Sequence, residues 1–514
     1  MKDTENTRRP GGSAPERTET RAHGPEHATR RAIDPPGAPM GEVPQYSYAW
    51  VQYVLGALLA LLLAVAVFKL QYSYGQAPHR VIKIFGGLLL FLFVFFRPWM
   101  ALHAWLLAIP MGEWLPATGI PGINAASLLL LTLVFSWIAP RVMRGERVYR
   151  HSRLALPMAA YMAILFMSIG HAALFPLDGV SRSFLDVLRL AWGVTLVMPI
   201  YYVVVSTVED KKQVRSLLLT FAAGCALAGL FAAFEFARAP SNSRIAGTLG
   251  DINDLGAYFA MCAAMLVALM MNSGVYPYVK RAVVWLSAVL AMVAVALPKS
   301  RGAYVGVAGG LGFLSYLSGR RAFIIFLIVL ASSPFWAPDI VKDRLAETTV
   351  GSFEAQLVGG MSDQLDPSAN VRLKIWGIVI DKVAEQPIFG YGYGSVPRLT
   401  YGLLRRPFSS HSLYFGTAAD SGLVGVAVLA WLFIACVRSG YQLRRLATDR
   451  LSLGLANGFL AATVALLVVN VFGQRFTHSS IAGTYFFLAG LVERSIRLEK
   501  DALEEQQAEE VSAS

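Results

Sequence analysis

Three residues able to bind or move charge on an anion stand where a membrane chain has little structural need of them. Arg301 opens an apolar run in LPKSRGAYVG, Arg372 sits in VRLKIWGIVIDKVAEQP, and His411 begins HSLYFGTAADSGLVGVA. A guanidinium offers a rigid fork of N–H donors that matches a phosphate, and a helix start adds free backbone N–H groups to the same task. Imidazole ordinarily titrates at about 6.5, so it can take a proton from a hydroxyl at neutral pH. Together these groups suit an anionic, phosphate-bearing ligand held beside a hydroxyl that gives up its proton. Each also has a plainer reading. Arg301 fits an interfacial arginine snorkelling to headgroups, Arg372 fits a partner for a buried acid, and His411 fits a structural residue at a helix rim.

Arg372 is the most telling by position. Ile375, Trp376, Val379 and Val383 follow it at helical spacing, whereas Lys374, Asp381, Lys382 and Glu385 share the opposite face. An arginine on the apolar face of an amphipathic helix points inward, toward an acid or toward a cavity that holds an anionic ligand. Arg244, in SNSRIAGTLGDINDLG, is a further substrate-binding candidate. Asp251, Asn253 and Asp254 beside it can ligate a cation in principle, but two acids in a turn more often cap a helix, and Asp254 before Leu255 fits that role. No metal site is therefore expected. His79, His103, His151, His171 and His478 are scattered and read as loop or packing residues. The run GYGYGS, ending at Ser395, follows Pro387 without a strand–turn–helix context, so it is not read as a nucleotide loop. Neither a Walker sequence nor HExxH occurs.

The elements that must position these groups are membrane helices. Of 514 residues, 55% are hydrophobic and 15% charged, against about 25% charged in soluble domains. Apolar runs recur from Trp50 to Leu491, each near the ~20 residues needed to cross a ~30 Å core. Backbone groups in hydrocarbon must bond within their own segment, so the spans are helices. We read them near 50–68, 125–139, 155–172, 184–205, 215–237, 255–271, 281–297, 301–317, 321–333, 411–437, 453–472 and 481–493, with a stretch at 81–110 broken at Arg97-Pro98. The expected fold is an all-α polytopic membrane protein of about 12 to 14 transmembrane helices. Cys225, Cys262 and Cys436 lie inside spans and read as small buried hydrophobes.

Basic clusters orient the chain. They are Arg141, Arg144, Arg147, Arg150 and Arg153; Lys211, Lys212 and Arg215; Lys280 and Arg281; Arg320 and Arg321; and Arg438, Arg444, Arg445 and Arg450. Counting spans puts all of them on one face, which the positive-inside bias makes cytoplasmic. That bias also accounts for most of the +12 formal charge without nucleic acid. Arg244, Arg301, the interval 334–410 and the Gln474–His478 loop then share the outer face. Near-membrane charges that topology does not explain are functional candidates. The expected organisation is a disordered tail at 1–45, transmembrane helices over 46–333, an outer catalytic loop at 334–410, helices over 411–495 and a disordered acidic tail at 496–514.

A transporter has little use for so long a folded interval outside the bilayer. It would also predict inverted or duplicated halves, and the long loop occurs once. An enzyme working on a lipid-anchored substrate at the membrane surface accounts for the interval and for the arginine–histidine set.

These residues, in this order, resemble the O-antigen ligase and polymerase superfamily of bacterial envelope glycan enzymes. The resemblance rests on Ser300-Arg301-Gly302-Ala303 opening a span, on Arg372 and Trp376 followed by Pro387 and the Gly390, Gly392 and Gly394 series, and on His411-Ser-Leu-Tyr followed by Asp420-Ser-Gly-Leu-Val-Gly. It covers roughly residues 215–495. Ser412 stands where the family commonly has Asn, and Asp420 where it has Glu. The resemblance implies a GT-C-like fold with one large periplasmic loop in a bacterial inner membrane. It implies a metal-independent, inverting glycosyltransferase that needs no cofactor and takes its glycan from an undecaprenyl-diphosphate donor at the periplasmic leaflet. Arg301 and Arg372, with Arg244, would bind and stabilise the diphosphate, while His411 would activate or orient the acceptor hydroxyl. Ligase action on lipid A–core is the preferred expectation. Polymerisation of lipid-linked repeats and transfer to a protein are the alternatives within the class, and a flippase of lipid-linked sugars is the alternative outside it.

Overall fold

The computed structural model describes residues 97–513 except 113, 116–123, 147–151, 176, 178–182, 241–242, 340, 343–366 and 405–406. The expected tail at 1–45, the spans at 50–68 and 81–96, His79, His151, Arg147 and Arg150 lie outside the described residues, as does the middle of the interval 334–410.

Among the described residues every regular element is a helix. In chain order, the α-helices of eight residues or more are α1 (Pro98–Ala108), α2 (Ala125–Met143), α3 (Ala155–Leu174), α4 (Phe184–Thr195), α5 (Ile200–Thr207), α6 (Lys211–Arg238), α7 (Ile252–Met271) and α8 (Tyr278–Ala296). There follow α9 (Arg301–Ser318), α10 (Arg320–Ala331), α11 (Pro367–Glu385), α12 (Val396–Leu404), α13 (Leu413–Leu446), α14 (Arg450–Val469) and α15 (Ser479–Ala513). Eight of these segments, with α4–α5 taken as one, are long and apolar enough to cross a membrane. The protein is thus an all-α polytopic membrane protein. The helices at 301–318 and 320–331, and α15 with the span expected at 481–493, fall outside those eight. α9 is diluted by glycines, and α10, at 12 residues, reaches only about 18 Å at ~1.5 Å per residue.

The centre of the bundle is α7 and α14, whose apolar windows are 78% buried, against 33% for the peripheral α8. α9 packs on both, and its small residues are the reason it can. A Cβ on Gly306 would collide with Val469 Cγ1, and one on Gly310 would meet the carbonyl of Ala461 at 2.9 Å. The Gly/Ala face expected to admit close approach therefore sets Arg301, at the start of α9, against the end of α14. Cys225, Cys262 and Cys436 are free and buried.

The basic clusters gather at one end of the bundle. Lys211 pairs with Asp449 at 2.8 Å and Glu499 at 2.9 Å. Arg444 Nη2 donates to the carbonyl of Leu317 at 2.9 Å, Arg141 Nη2 to that of Ser206 at 3.4 Å, and Arg215 lies over the Tyr276 ring. Arg244, Arg301, Arg372 and His411 lie at the other end.

One local expectation changes. Residues 496–513, read as a disordered tail, continue α15 as helix. The stretch is rich in Glu, Gln, Ala, Leu and Lys, all good helix formers, and Glu499 is anchored by Lys211, Thr448 and Ser452. The span expected at 184–205 is one crossing segment, Phe184–Thr207, with a turn at 196–199 between α4 and α5.

Candidate active site

Arg244, Arg301 and Arg372 line one cavity of about 110 Å³, together with Asn253, Ser300, Phe472 and Arg475. Each is brought there by a different element. Arg301 is the first residue of α9, following Lys299, which takes a left-handed φ of 53° to turn the chain into the helix. Arg372 projects from the first half of α11. Arg244 lies in the segment before α7, where its Nε donates to the carbonyl of Pro298 at 3.3 Å and its Nη2 reaches Asn253 Oδ1 at 3.5 Å. Ser300 Oγ donates to the same Asn253 oxygen at 3.1 Å, so one amide ties the starts of α7 and α9 together.

Arg475 is the residue that sequence reasoning missed. It follows α14 in the loop before α15 and pairs with Asp254 at 3.0 Å and Asp251 at 3.3 Å. These two acids face a guanidinium, so their arrangement is that of an ion pair and not of an empty cation site. The cap of α7 is Asp251, which accepts from the backbone N–H groups of Asn253 and Asp254; the expected cap, Asp254, instead serves the Arg475 pair. The signal that could have found Arg475 was present: it is a basic residue on the same outer face as Arg244 and Arg301.

α11 fulfils the amphipathic reading. Ile375 and Val379 are fully buried, with Trp376, Val383 and Phe415 packed around them. Lys382 and Glu385 pair at 2.7 Å on the exposed face. With Trp376 one turn beyond Arg372, the same helix presents an arginine to the cavity and an indole to the next segment.

That segment carries His411, held in a left-handed conformation at φ 49°. Asn, Asp and His tolerate this region better than most residues, but it is sparsely populated and persists where its surroundings enforce it. Here they do so from three sides. Trp376 Nε1 donates to the carbonyl of Ser410 at 2.9 Å, and Gln474 Nε2 donates to Ser410 Oγ at 2.9 Å. The N–H of Leu413 donates to the carbonyl of Asn470 at 2.9 Å, and Asn470 itself is fully buried. α11, α13, α14 and the Arg475 loop therefore meet at this corner. The His411 imidazole lies outside the lining of the 110 Å³ cavity but within the electrostatic reach of two of its lining residues, Arg372 and Arg475. Partial burial, then the positive charges of Arg372 and Arg475, hold it below the ordinary histidine value. The shift favours the neutral form, the one that can accept a proton.

The glycine series has a mechanical task. The N–H groups of Tyr391 and Gly392 donate to the carbonyls of Ala419 and Asp420 at 2.7 and 3.0 Å, and that of Leu423 donates to the carbonyl of Pro387 at 2.8 Å. α13 opens at Gly422, with φ 65° and ψ −165°, to receive this extended stretch. A Cβ there would collide with the carbonyl oxygen of Ile388. Asp420, within the resemblance motif, accepts from Ser395 N–H at 3.0 Å and Ser395 Oγ at 2.8 Å. Its carboxylate thus anchors the loop after α11 to α13 and does not line the arginine cavity.

Four guanidinium groups line a small cavity at the N-termini of α7 and α9, an arrangement able to hold an anion. At about 110 Å³ it is below the ~300 Å³ of whole-ligand pockets, so it suits the charged part of a ligand and leaves the remainder outside. A family model described as O-antigen ligase matches residues 286–430. That range contains Arg301, Arg372, His411 and Asp420 and leaves out Arg244 and Arg475. No curated protein matches the chain.

Proposed function

We propose, from the match of residues 286–430 to the O-antigen ligase family, that the chain transfers a glycan from an undecaprenyl-diphosphate donor to an acceptor hydroxyl at the periplasmic face, with lipid A–core as the acceptor. The observation that carries the reading is the convergence of Arg244, Arg301, Arg372 and Arg475 on one cavity, with His411 within the electrostatic reach of Arg372 and Arg475. Arginines stabilise a departing diphosphate without a metal, because the fork of N–H donors is already oriented where charge develops.

In this mechanism the acceptor oxygen attacks the anomeric carbon from the face opposite the diphosphate. The bond from that carbon to the phosphate oxygen breaks, and its electron pair leaves with the diphosphate. His411 takes the hydroxyl proton, and the anomeric centre inverts. Arg301 and Arg372 hold the leaving phosphates, with Arg244 and Arg475 completing the anion site. A bound diphosphate also neutralises the field of Arg372 and Arg475 on His411. That raises the basicity of the imidazole when the donor is in place, which favours proton abstraction in the loaded state over the empty one.

The test is made in cells lacking their own envelope glycan ligase. The chain and its His411→Ala and Arg301→Ala variants are expressed at matched membrane levels, and lipopolysaccharide is stained for attached long glycan. Attachment by the wild type, lost in both variants, is the expected result. Longer lipid-linked chains without attachment would replace the ligase reading by a polymerase one. Undiminished activity in both variants would refute the catalytic assignment.

A further inference from the structure

At the end of the bundle opposite the arginine cavity, a cleft of about 770 Å³ opens between the start of α3 and the last turns of α13. Its size is within the ~300–1,000 Å³ of ligand sites. Three arginines rim it: Arg153, Arg438 and Arg445. Arg153 is tethered to Gln442, and its backbone N–H donates to Glu493 at 3.2 Å. Arg438 and Arg445 are exposed and have no hydrogen-bond or ion-pair partner among the described residues. Among the described residues no acid lines the cleft; Glu493 is buried behind its wall, where Ser439 reaches it at 3.5 Å.

The arrangement along α13 is graded. Trp431, Arg438 and Arg445 recur at seven-residue steps and so share a face, each step advancing about 10 Å. The inner part of the cleft is apolar, lined by Leu156, Pro157, Trp431 and Ala435, and it is open sideways: Leu156 is 67% and Trp431 39% exposed. The outer part is cationic. A long apolar foot below a basic mouth at a helix end has the profile of one phospholipid, with its phosphate among the guanidinium groups and an acyl chain against the tryptophan. A soluble anion would need the mouth but not the foot.

We propose that this cleft binds an anionic phospholipid of the leaflet opposite the candidate active site. The purified full chain would be tested in mixed micelles containing phosphatidylglycerol, cardiolipin or phosphatidylcholine. Retained lipid would be counted by native mass spectrometry and stabilisation read from thermal unfolding. We expect the two anionic lipids to remain bound and to raise the unfolding temperature, and phosphatidylcholine to do neither. The double variant Arg438→Gln/Arg445→Gln should bind them at least tenfold more weakly, since each basic contact to an anionic lipid contributes about one factor of five. Arg320→Gln/Arg321→Gln, which removes two charges from the same end but not from the cleft, should bind as the wild type does. If the first double variant does not fold, Trp431→Ala carries the test: it should weaken retention of the lipid while leaving every arginine. Equal loss in both double variants would mean only diffuse attraction to the basic face and would overturn the proposal. Equal stabilisation by phosphatidylcholine would overturn it too, as would tighter binding of undecaprenyl phosphate with the same arginine dependence.

Discussion

The indole N–H of Trp376 donates to the backbone carbonyl of Ser410 at 2.9 Å. Through that bond the helix bearing Arg372 is fastened to the residue just before His411. The spacing of Arg372 and Trp376, one helical turn, thus has a physical meaning: one side chain enters the anion cavity while the other fixes the histidine corner. Trp376 also stacks on Phe415 of α13, with ring centroids 4.9 Å apart. Trp376→Phe should keep the stacking and lose only the hydrogen bond. We expect turnover to fall about three- to tenfold, with thermal stability lowered by about 1 kcal/mol. Steady-state kinetics and unfolding of the same preparation would separate the two effects.

His411 allows function to be divided from folding. Glycine adopts a φ of 49° at no steric cost, so His411→Gly should fold at least as stably as the wild type. Its transfer rate should nonetheless drop by about 10²–10⁴, the usual contribution of a general base. A variant that lost stability together with activity would indicate that the imidazole is chiefly a packing group.

The pH profile follows from the same surroundings. Burial and then Arg372 and Arg475 lower the His411 value, so the neutral, proton-accepting form persists below the ordinary ~6.5. The acid limb of kcat/KM, which reports the free enzyme, should therefore have its midpoint below about 6.5. The acid limb of kcat should lie higher, because a bound diphosphate offsets the arginine field. Arg475→Gln removes one of the two charges and should move the kcat/KM limb upward. An unmoved limb would separate His411 from the Arg475 field.

Arg475 also supports Asp254, the less exposed of its two partners, whose side chain is 14% exposed. Replacing Arg475 by Ala leaves that carboxylate without its guanidinium, whereas Arg475→Lys keeps a charge but loses the fork. Both variants should raise the KM for the lipid-linked donor, Ala more than Lys. Measuring donor KM at saturating acceptor would show the order.

Gly422 tests the loop after α11. Its φ is 65°, and the Ile388 carbonyl occupies the space that a methyl group would need. Gly422→Ala should therefore destabilise the protein by about 2 kcal/mol or more. It should also loosen the contacts of Tyr391 and Gly392 with α13. Limited proteolysis near residues 387–395, compared with the wild type, would detect it.

Much of this protein is legible in the chain itself. Apolar runs of span length dictate helices because the backbone has no other way to bond in hydrocarbon. Charge bias divides the loops into two ends, and the structure gathers the Lys211, Arg215, Arg444 and Arg153 clusters at one of them. The inward direction of Arg372 follows from helical periodicity, and the glycine face of α9 announces a close helix contact. What periodicity cannot supply is the meeting of elements distant in sequence. Arg475 joins Arg301 and Arg372 only because α14 ends where α9 begins. The corner at His411 depends on Trp376, Asn470 and Gln474, which lie in three different segments. Asp420, conspicuous in its motif, is drawn by Ser395 into holding a loop, and Asp254 is drawn from its expected capping role by Arg475. Composition and period act along one segment, where a residue's neighbours are known. A site made from the ends of several helices is decided by packing between them, and only the tertiary structure contains that.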